Sequence, residues 1–459
     1  MENTNQDMMT EAAKLSFDRF REEVLADFRV ACISREASLL GRKEVLTGKA
    51  KFGIFGDGKE VAQVAMAKFF KPGDFRSGYY RDQTFMFAAG LATIEQFFAQ
   101  LYADPDVNNE PFSAGRQMNA HFATRLVNDA GEWLDLSHLK NVSSDIAPTG
   151  GQMPRGLGLA FASKAFRQVP QLQDFKNLSD NGNEVCFTTI GDSSTSEGHF
   201  WETMNAAGVM QVPLAVFVWD NGYGISVPKE YQTTKASVSE ALSGMQKTPH
   251  TNGFNIYRVK GWDYAGMCEA FEEGIRLARE THTPVLFHVE EITQPQGHST
   301  SGSHERYKSP ERLQWEKEWD GIRKMKEWII ANALAGEEEL NNIAGEAKEY
   351  VRDCKNAAWE KYQAPVKQQV SRTIDLLQSM ANAIPALKTE LQQLADHLSA
   401  IREPIRKDVM KTLHAAIGLA GNHDAAFWTK DYYKDLQAES DRFFNSFLYN
   451  EGPKSAMKV

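Results

Sequence analysis

The chain has 459 residues, enough for two or three domains of ordinary size, and its contents of 42% hydrophobic and 24% charged residues are typical of a soluble globular protein. The net charge of −10 argues against a general nucleic-acid-binding protein, because such proteins need a basic surface.

The cysteines and the N-terminus indicate the cellular location of the protein. The four cysteines are spaced neither as a zinc site nor as a disulfide framework, so we expect reduced thiols. The first residues, MENTNQDMMTEAAKLSFDRF, are polar and acidic and lack the apolar core of a signal peptide. No apolar run approaches the length of a membrane span. These features predict a cytoplasmic protein that is not inserted in a membrane.

The first part of the chain alternates helices with loops. Helical spacing of apolar residues predicts helices over 8–46 and 59–72, and Pro72-Gly73 ends the second. A short helix is predicted in TIEQFFAQLYAD. Residues 104–155 are rich in Gly, Pro, Asn and Ser and should be mostly loop, and PRGLGLAFASKAFRQ should be a helix of small residues.

From residue 183 the pattern becomes strand, helix, strand. EVCFTTI and PLAVFVW are predicted strands, joined by a helix in EGHFWETMNAAGVMQ. FNIYRVKG, YAGMCEAFEEGIRLARE and PVLFHVEEI repeat the alternation. This pattern predicts an α/β fold, with a mostly parallel sheet and helices on both faces. Ligands of such sheets bind at the carboxyl ends of the strands.

Residues 310–445 are almost entirely helix-forming. Leucines and an isoleucine recur with four-three spacing between Pro385 and Pro404, which indicates a packed helical seam. We therefore divide the chain into an N-terminal helical segment (1–58), an α/β domain (59–310) and an all-helical C-terminal extension or connector (311–459).

Polar residues follow the two predicted strands at their carboxyl ends. Asp192 follows the first strand and Asn221 follows the next, so a parallel sheet can bring them to one edge. A carboxylate, an amide oxygen and a backbone carbonyl near Tyr223 form an incomplete set of oxygen ligands, of the kind Mg²⁺ completes with phosphate and water. The small residues 193–196 lie at a helix start, where backbone amides can meet an anion. The pattern predicts a site for a metal-bridged diphosphate.

These residues resemble a known family. GDSSTSEGHFWETMNAAGVMQVPLAVFVWDNGYGIS is similar to the thiamine-diphosphate fingerprint, and more closely to the alpha subunit of the E1 component of 2-oxoacid dehydrogenases. The likeness extends to SGYYRD, GRQMNAHFA, APTGGQMPRGLGLAFA and the loop GHSTS, whose threonine favours the branched-chain type. It covers roughly residues 20–310 and implies the thiamine-diphosphate-binding fold.

The resemblance also implies roles for individual residues. Asp192, Asn221 and the backbone carbonyl of Tyr223 would bind Mg²⁺. His298 and His121 would be catalytic, His298 at the diphosphate and His121 near the substrate. The positions implied in cofactor binding are Tyr80, Arg81, Thr149, Gly191, Asp192, Ser193, Ser194, Asn221, Tyr223 and His298.

Three positions depart from the family pattern. Ser193 replaces the third residue of the usual Gly-Asp-Gly, and Asp220 replaces the first of two asparagines. Trp219 stands where branched-chain members carry an arginine on the diphosphate, so one phosphate contact is missing.

The resemblance implies oxidative decarboxylation of a 2-oxoacid, of the 3-methyl-2-oxobutanoate type, with acyl transfer to the lipoyl group of an E2 acyltransferase. The glutamate that activates the cofactor belongs to the beta subunit, so the chain would need a beta subunit or the beta half of a longer fused chain. The assembly would be α₂β₂ or a homodimer of fused chains. Alternatives are a pyruvate or acetoin dehydrogenase E1 alpha subunit, and a non-catalytic subunit that keeps the fold.

Overall fold

A six-stranded parallel sheet forms the centre of the α/β part of the protein. In the computed structural model, which describes residues 16–444, this sheet has the strand order β2-β1-β3-β4-β8-β7, and each neighbouring pair is parallel. A separate two-stranded antiparallel ribbon pairs β5 with β6. The strands are β1 Phe75–Ser77, β2 Asn141–Val142, β3 Cys186–Gly191, β4 Leu214–Trp219, β5 Tyr223–Gly224, β6 Val227–Pro228, β7 Asn255–Lys260 and β8 Val285–Glu290.

Fourteen α-helices lie within the described residues. They are α1 Phe17–Leu46, α2 Glu60–Ala67, α3 Gln83–Ala88, α4 Ile94–Leu101, α5 Gln152–Gln168, α6 Gly198–Met210, α7 Val238–Ala241, α8 Tyr264–Thr281, α9 Pro310–Glu318, α10 Gly321–Ala331, α11 Glu337–Ala383, α12 Lys388–Ala400, α13 Arg406–Ala420 and α14 Phe427–Phe443. Residues 8–15 of the first predicted helix, and residue 445 of the helical tail, lie outside the described residues. The second predicted helix is shorter than 59–72, because the amides of Phe69 and Phe70 turn back to carbonyls three residues earlier.

The central strands are apolar on both faces because helices cover both sides of the sheet. Every residue of β4 is buried. Its residues Leu214, Val216 and Val218 belong to a core that includes Phe200 of α6 and Met153 of α5. On the opposite face Phe217 stacks on Phe287, with ring centroids 4.8 Å apart, and meets Phe271 of α8 edge-on. Side chains of a strand alternate between faces, so an uninterrupted apolar run indicates a strand covered twice. The predicted α/β fold with a helical C-terminal region is confirmed.

The residues group by contact into two units. Within the described residues, the first comprises residues 16–94, Met118–Asn128 and Glu132–Asp353, and contains the sheet. The second comprises Glu95–Gln117, Asp129–Gly131 and residues 354–444. Its core contains the seam leucines Leu391 and Leu398, both fully buried, which pack with residues of α11, α13 and α14. The division of the chain at 58/59 and 310/311 stays a prediction.

None of the helices in residues 16–444 combines the length and the apolar character that crossing a lipid bilayer requires.

Candidate active site

The candidate site lies at the carboxyl edge of the sheet, where β3, β4 and β8 end side by side. Gly191 pairs with Trp219, and Trp219 pairs with Val289. The ladder continues past the strands: the amide of Asp192 donates to the Trp219 carbonyl at 3.2 Å, and the amide of Asp220 donates to the Val289 carbonyl at 2.9 Å. Asp192 and Asp220 are therefore held next to each other in register, and Asn221 follows immediately.

Asp192 is a buried carboxyl group that lacks a full set of partners. Its side chain is 4% exposed, and its Oδ2 accepts no hydrogen bond from the described residues. Burial, and next the neighbouring Asp220, raise the pKa of Asp192 well above its ordinary value, although Lys229 and the Ser193 amide oppose the rise. A buried carboxylate with an unused oxygen is costly unless a cation or donor meets it. This observation fits a metal ligand.

Asp220, in contrast, is fully partnered. Oδ1 accepts from the Gly222 amide at 2.8 Å, and Oδ2 accepts from Lys229 at 2.8 Å and lies 3.0 Å from Nε2 of His288. Burial alone would raise the pKa of Asp220, but the hydrogen bond from His288 and the Lys229 charge lower it below its ordinary value. Asp220 therefore fixes the turn after β4, which explains why an aspartate is accommodated at this position.

Asn221 and Tyr223 form the turn that Asp220 supports. The Asn221 side chain donates to Oε1 of Gln294 at 3.2 Å, and its Oδ1 accepts from the Tyr223 amide at 3.0 Å. Arg312 of α9 donates to the Asn221 carbonyl at 2.9 Å. An amide oxygen has two lone pairs, so Oδ1 keeps one for a metal while the turn stays intact.

Arg81 and His298, far apart in sequence, are in direct contact. Arg81 Nη2 lies 3.1 Å from Nδ1 of His298 and donates to the His298 carbonyl at 2.9 Å, while Nη1 donates to the Phe55 carbonyl at 2.5 Å. Burial, then Arg81 and Lys59, lower the pKa of His298 to about 4. The ring is therefore neutral at neutral pH, and its Nδ1 accepts a hydrogen bond from the Arg81 guanidinium.

The half-buried Tyr80 and the buried His121 lie near each other. Their ring centroids are 6.4 Å apart in a stacked arrangement, and the Arg81 guanidinium lies 5.2 Å from the Tyr80 ring. His121 is 2% exposed, with Nδ1 3.3 Å from the Asn119 carbonyl. Asn119 in turn donates to the Ile54 carbonyl at 2.6 Å, which fixes the loop that carries His121.

The remaining predicted positions are spread along the same edge. Ser193 approaches Gly224 so closely that a Cβ on that glycine would lie 2.2 Å from the serine hydroxyl. Ser194 is half-buried in the same turn, and Gly191 ends β3. Thr149 is exposed, and its carbonyl lies 2.8 Å from Nε2 of His199.

Sequence reasoning missed two basic residues at this site, Lys59 and Arg312. Lys59 precedes α2 and is 2% exposed; its ammonium donates to Oε1 of Gln294, the same oxygen that receives the Asn221 amide. Burial, followed by the nearby Arg81 charge, lowers the pKa of Lys59 to about 7. The available signal was GDGKEVAQVAMA, a lysine directly after a Gly-Asp-Gly turn and before an apolar helix.

Gly58 makes the position of Lys59 possible. Its φ is +88°, and a Cβ there would lie 1.9 Å from the Thr293 carbonyl oxygen. Only glycine fits such an approach at a positive φ. The turn before α2 is thereby pressed against the segment that carries Gln294.

Comparisons with known proteins agree with this geometry. Residues 29–367 match the model of the family described as Dehydrogenase E1 component. The chain therefore belongs to the dehydrogenase E1 component family, and its resemblance to the alpha subunits is confirmed.

The individual relatives share only about a quarter of their residues with this chain. The chain is 27% identical over 359 residues to a protein named 2-oxoisovalerate dehydrogenase subunit alpha, mitochondrial, from Caenorhabditis elegans, which covers 78% of this chain and 72% of that protein. It is 26% identical over 318 residues to 2-oxoisovalerate dehydrogenase subunit alpha 1, mitochondrial, from Arabidopsis thaliana (68% and 59%). It is 27% identical over 205 residues to pyruvate dehydrogenase E1 component subunit alpha from Rickettsia bellii (44% and 56%). The chain thus spans less than two thirds of the second and third relatives.

Proposed function

We propose that the chain is the E1 alpha component of a thiamine-diphosphate- and Mg²⁺-dependent 2-oxoacid dehydrogenase, and that its substrate is a branched-chain 2-oxoacid. The observation that carries the proposal is the buried Asp192, whose Oδ2 has no partner in the described residues, at the carboxyl edge of the sheet. Family membership supports an oxidoreductase acting on 2-oxoacids and implies the cofactor. The relatives named 2-oxoisovalerate dehydrogenase favour the branched-chain substrate.

Each side chain has a distinct task in this proposal. Asp192, the free lone pair of Asn221 Oδ1 and the carbonyl of Tyr223 would hold the metal. Arg81 would turn its guanidinium from His298 to the diphosphate, where its planar fork donates charge-assisted hydrogen bonds. The small residues Gly191, Ser193 and Ser194 would let the diphosphate come close to the backbone.

The two histidines would work nearer the reacting atoms. Neutral His298 can accept or donate a proton without first losing one, which suits a group at the cofactor and at the lipoyl entry. His121 would donate a proton on the substrate side. Thiamine diphosphate, when bound, supplies the electron sink for decarboxylation, and the protein orients it. Tyr80 and Thr149 complete the predicted cofactor contacts.

The proposal includes a beta partner, as the family implies. Within residues 16–444 the structure contains one parallel sheet and one carboxyl edge of this kind. The activating glutamate expected from the family would come from a beta subunit, or from the beta half of a longer fused chain, in an α₂β₂ or dimeric assembly. A lipoyl-bearing E2 would accept the acyl group. The cytoplasmic location stays a prediction.

Two measurements test the proposal. Calorimetric titration with Mg²⁺ and thiamine diphosphate should show binding to the purified chain and none to Asp192→Ala; equal affinities would count against the metal assignment. Decarboxylation of a panel of 2-oxoacids, followed with an artificial electron acceptor, should need the beta partner and be fastest with 3-methyl-2-oxobutanoate. Turnover by the chain alone would refute the requirement for a beta partner. A preference for pyruvate would identify the chain as a pyruvate-type subunit.

A non-catalytic subunit that keeps the fold is the second candidate. It is favoured by Trp219, a buried indole whose Nε1 lacks a partner within the described residues and which replaces the arginine expected from the family. The same titration separates the two candidates, because a subunit that has lost the cofactor would not bind it.

A further inference from the structure

Lys59 is a buried amine that contacts no carboxylate. It forms no ion pair with any carboxylate in residues 16–444, and its ammonium contacts only uncharged oxygens: Oε1 of Gln294 and, at 3.5 Å, the Asp57 carbonyl. The nearby Asp57 carboxylate accepts from the Gln296 amide instead. A lysine is almost never fully buried unless a charged partner compensates for the lost hydration. The arrangement therefore lacks an anion.

Other positive groups surround the same point. Arg81 is close enough to lower the pKa of Lys59, and both cations act on the ring of His298. Like charges repel, so the two neighbouring basic side chains of Lys59 and Arg81 are unfavourable together in the absence of a ligand. Three carboxyl groups, Asp57, Glu60 and Asp192, also act on Lys59 and oppose the fall of its pKa, but none of them accepts a hydrogen bond from its ammonium. Glu60 pairs with Arg35 instead, at 2.6 Å. An anion carrying more than one negative charge would satisfy both cations together.

The position of Lys59 is set by the scaffold. Gly58 brings the turn against the Thr293 carbonyl, and the side chain of Gln294 donates to the Asp57 carbonyl at 3.2 Å. Gln294 Oε1 then accepts from both Lys59 and Asn221. Lys59 and the asparagine predicted to bind the metal thus share one acceptor, which places the ammonium beside the metal-binding turn.

We propose that Lys59 is a diphosphate-binding residue, whose ammonium hydrogen bonds to an oxygen of the metal-bridged diphosphate. This assignment rests on the proposed function and adds a cation that the sequence pattern did not identify. It also supplies positive charge at a site where Trp219 leaves a phosphate contact missing. Neither the family match nor the named relatives assign a role to this lysine.

The test is a binding titration of the full chain with Mg²⁺ and one of three probes: thiamine diphosphate, inorganic diphosphate or thiamine. Lys59→Met keeps the length of the side chain and removes the charge. We expect it to weaken binding of both diphosphates by about 10- to 100-fold, as expected for one charge-assisted hydrogen bond. Binding of thiamine should not change.

Matched variants separate loss of a ligand contact from loss of structure. Lys140→Met removes a half-buried cation whose ammonium lies 3.4 Å from the Ala89 carbonyl, away from the site, and should leave binding unchanged. Without ligand, Lys59→Met should melt at the same temperature as the wild type or higher, because an uncompensated buried charge is removed. Lys59→Gln, which retains a donor for Gln294, gives the same answer if the methionine variant fails to fold.

The outcomes distinguish this assignment from the proposed function. Unchanged affinity of Lys59→Met and Lys59→Gln for both diphosphates would overturn the assignment and leave the cofactor proposal standing. Binding of inorganic diphosphate alone, lost in the variants, would support Lys59 and refute the thiamine cofactor. Failure of the wild-type chain to bind either diphosphate would overturn both.

Discussion

Two buried aspartates lie past neighbouring strands of the sheet, and their surroundings differ. Asp82, past β1, is completely buried and accepts from Nε and Nη2 of Arg76 at 2.9 and 2.6 Å. The Thr189 hydroxyl of β3 donates to the same carboxylate. Asp192, past β3, has an oxygen with no partner among the described residues.

This difference distinguishes Asp82, which stabilises the fold, from Asp192, which belongs to the candidate site. Arg76 also binds Asp145 at 3.1 Å, and Asp145 accepts from the Phe122 amide at 2.9 Å, so the first cluster fixes the loop that carries His121. That cluster is satisfied without any ligand. Asp192 is buried as well, but its Oδ2 has no hydrogen bond or cation among the described residues to offset the loss of hydration. Such a group is expected where a bound ligand supplies the missing partner. Burial alone therefore does not mark the site; what distinguishes Asp192 from Asp82 is a buried carboxylate oxygen without a partner in the described chain, at the carboxyl edge of the sheet.

The largest expected effect comes from breaking the satisfied cluster. Arg76→Met leaves the carboxylates of Asp82 and Asp145 buried without their counter-ion. We expect the free energy of unfolding of the α/β unit to fall by about 3–5 kcal/mol, because removing one partner strands the other charges. Denaturant unfolding measures the loss. Arg29→Met, which breaks an exposed pair with Glu346, is the control and should cost about 0–1 kcal/mol. Equal losses in both variants would contradict the comparison.

Replacing Asp192, in contrast to replacing Arg76, should not destabilise the ligand-free protein. Asp192→Asn removes a carboxyl group whose ionised form is disfavoured by burial and has no donor on Oδ2 from residues 16–444, so the ligand-free protein should be as stable as the wild type or slightly more stable. Binding of Mg²⁺ with thiamine diphosphate should fall by about 100-fold or more, as expected when one member of a buried charge contact is removed. Thermal melting and calorimetry measure the two effects on one sample.

Asp74 provides the matched control for Asp192. It is fully buried, but Arg279 donates to both of its oxygens at 2.7 Å. Asp74→Asn should therefore lower stability and leave cofactor binding unchanged, the reverse of Asp192→Asn. If Asp192→Asn were the less stable of the two variants, Asp192 would have to be a structural residue.

The parts of this picture that are local in sequence could be predicted. β3 is rich in apolar and β-branched residues and β4 is an uninterrupted apolar run, and both are followed by polar residues. Their alternation with α6 predicts a parallel pair, so Asp192 and Asn221 were identifiable. The seam in α12 was visible from its spacing, and Leu391 and Leu398 are buried as expected.

The rest depends on contacts between distant segments. Arg76 meets Asp145 across 69 positions, and Lys59 meets Gln294 across 235, and neither pairing leaves a periodic signal. Arg312 fell in the stretch assigned to the helical tail, yet it donates to the Asn221 carbonyl from α9. Sequence alone also cannot show that an aspartate oxygen has no partner, which is what separates Asp192 from Asp82.

The smallest expected effect concerns the protonation of His298, and it extends the comparison to basic groups. Burial, then Arg81 and Lys59, hold the pKa of His298 at about 4, whereas an unfolded histidine takes up a proton near about 6.5. The unfolded chain therefore binds the proton first, and this residue's contribution to stability is lost as the pH falls from about 6.5 through 4. In histidine-labelled NMR spectra the His298 ring should stay neutral between about pH 5.5 and 8. Arg81→Met should raise its pKa, and Arg29→Met should not. A wild-type midpoint near about 6.5 would mean that Arg81 and Lys59 do not lie close to His298 in solution. The inference that these two basic groups bind the diphosphate would then lose its support.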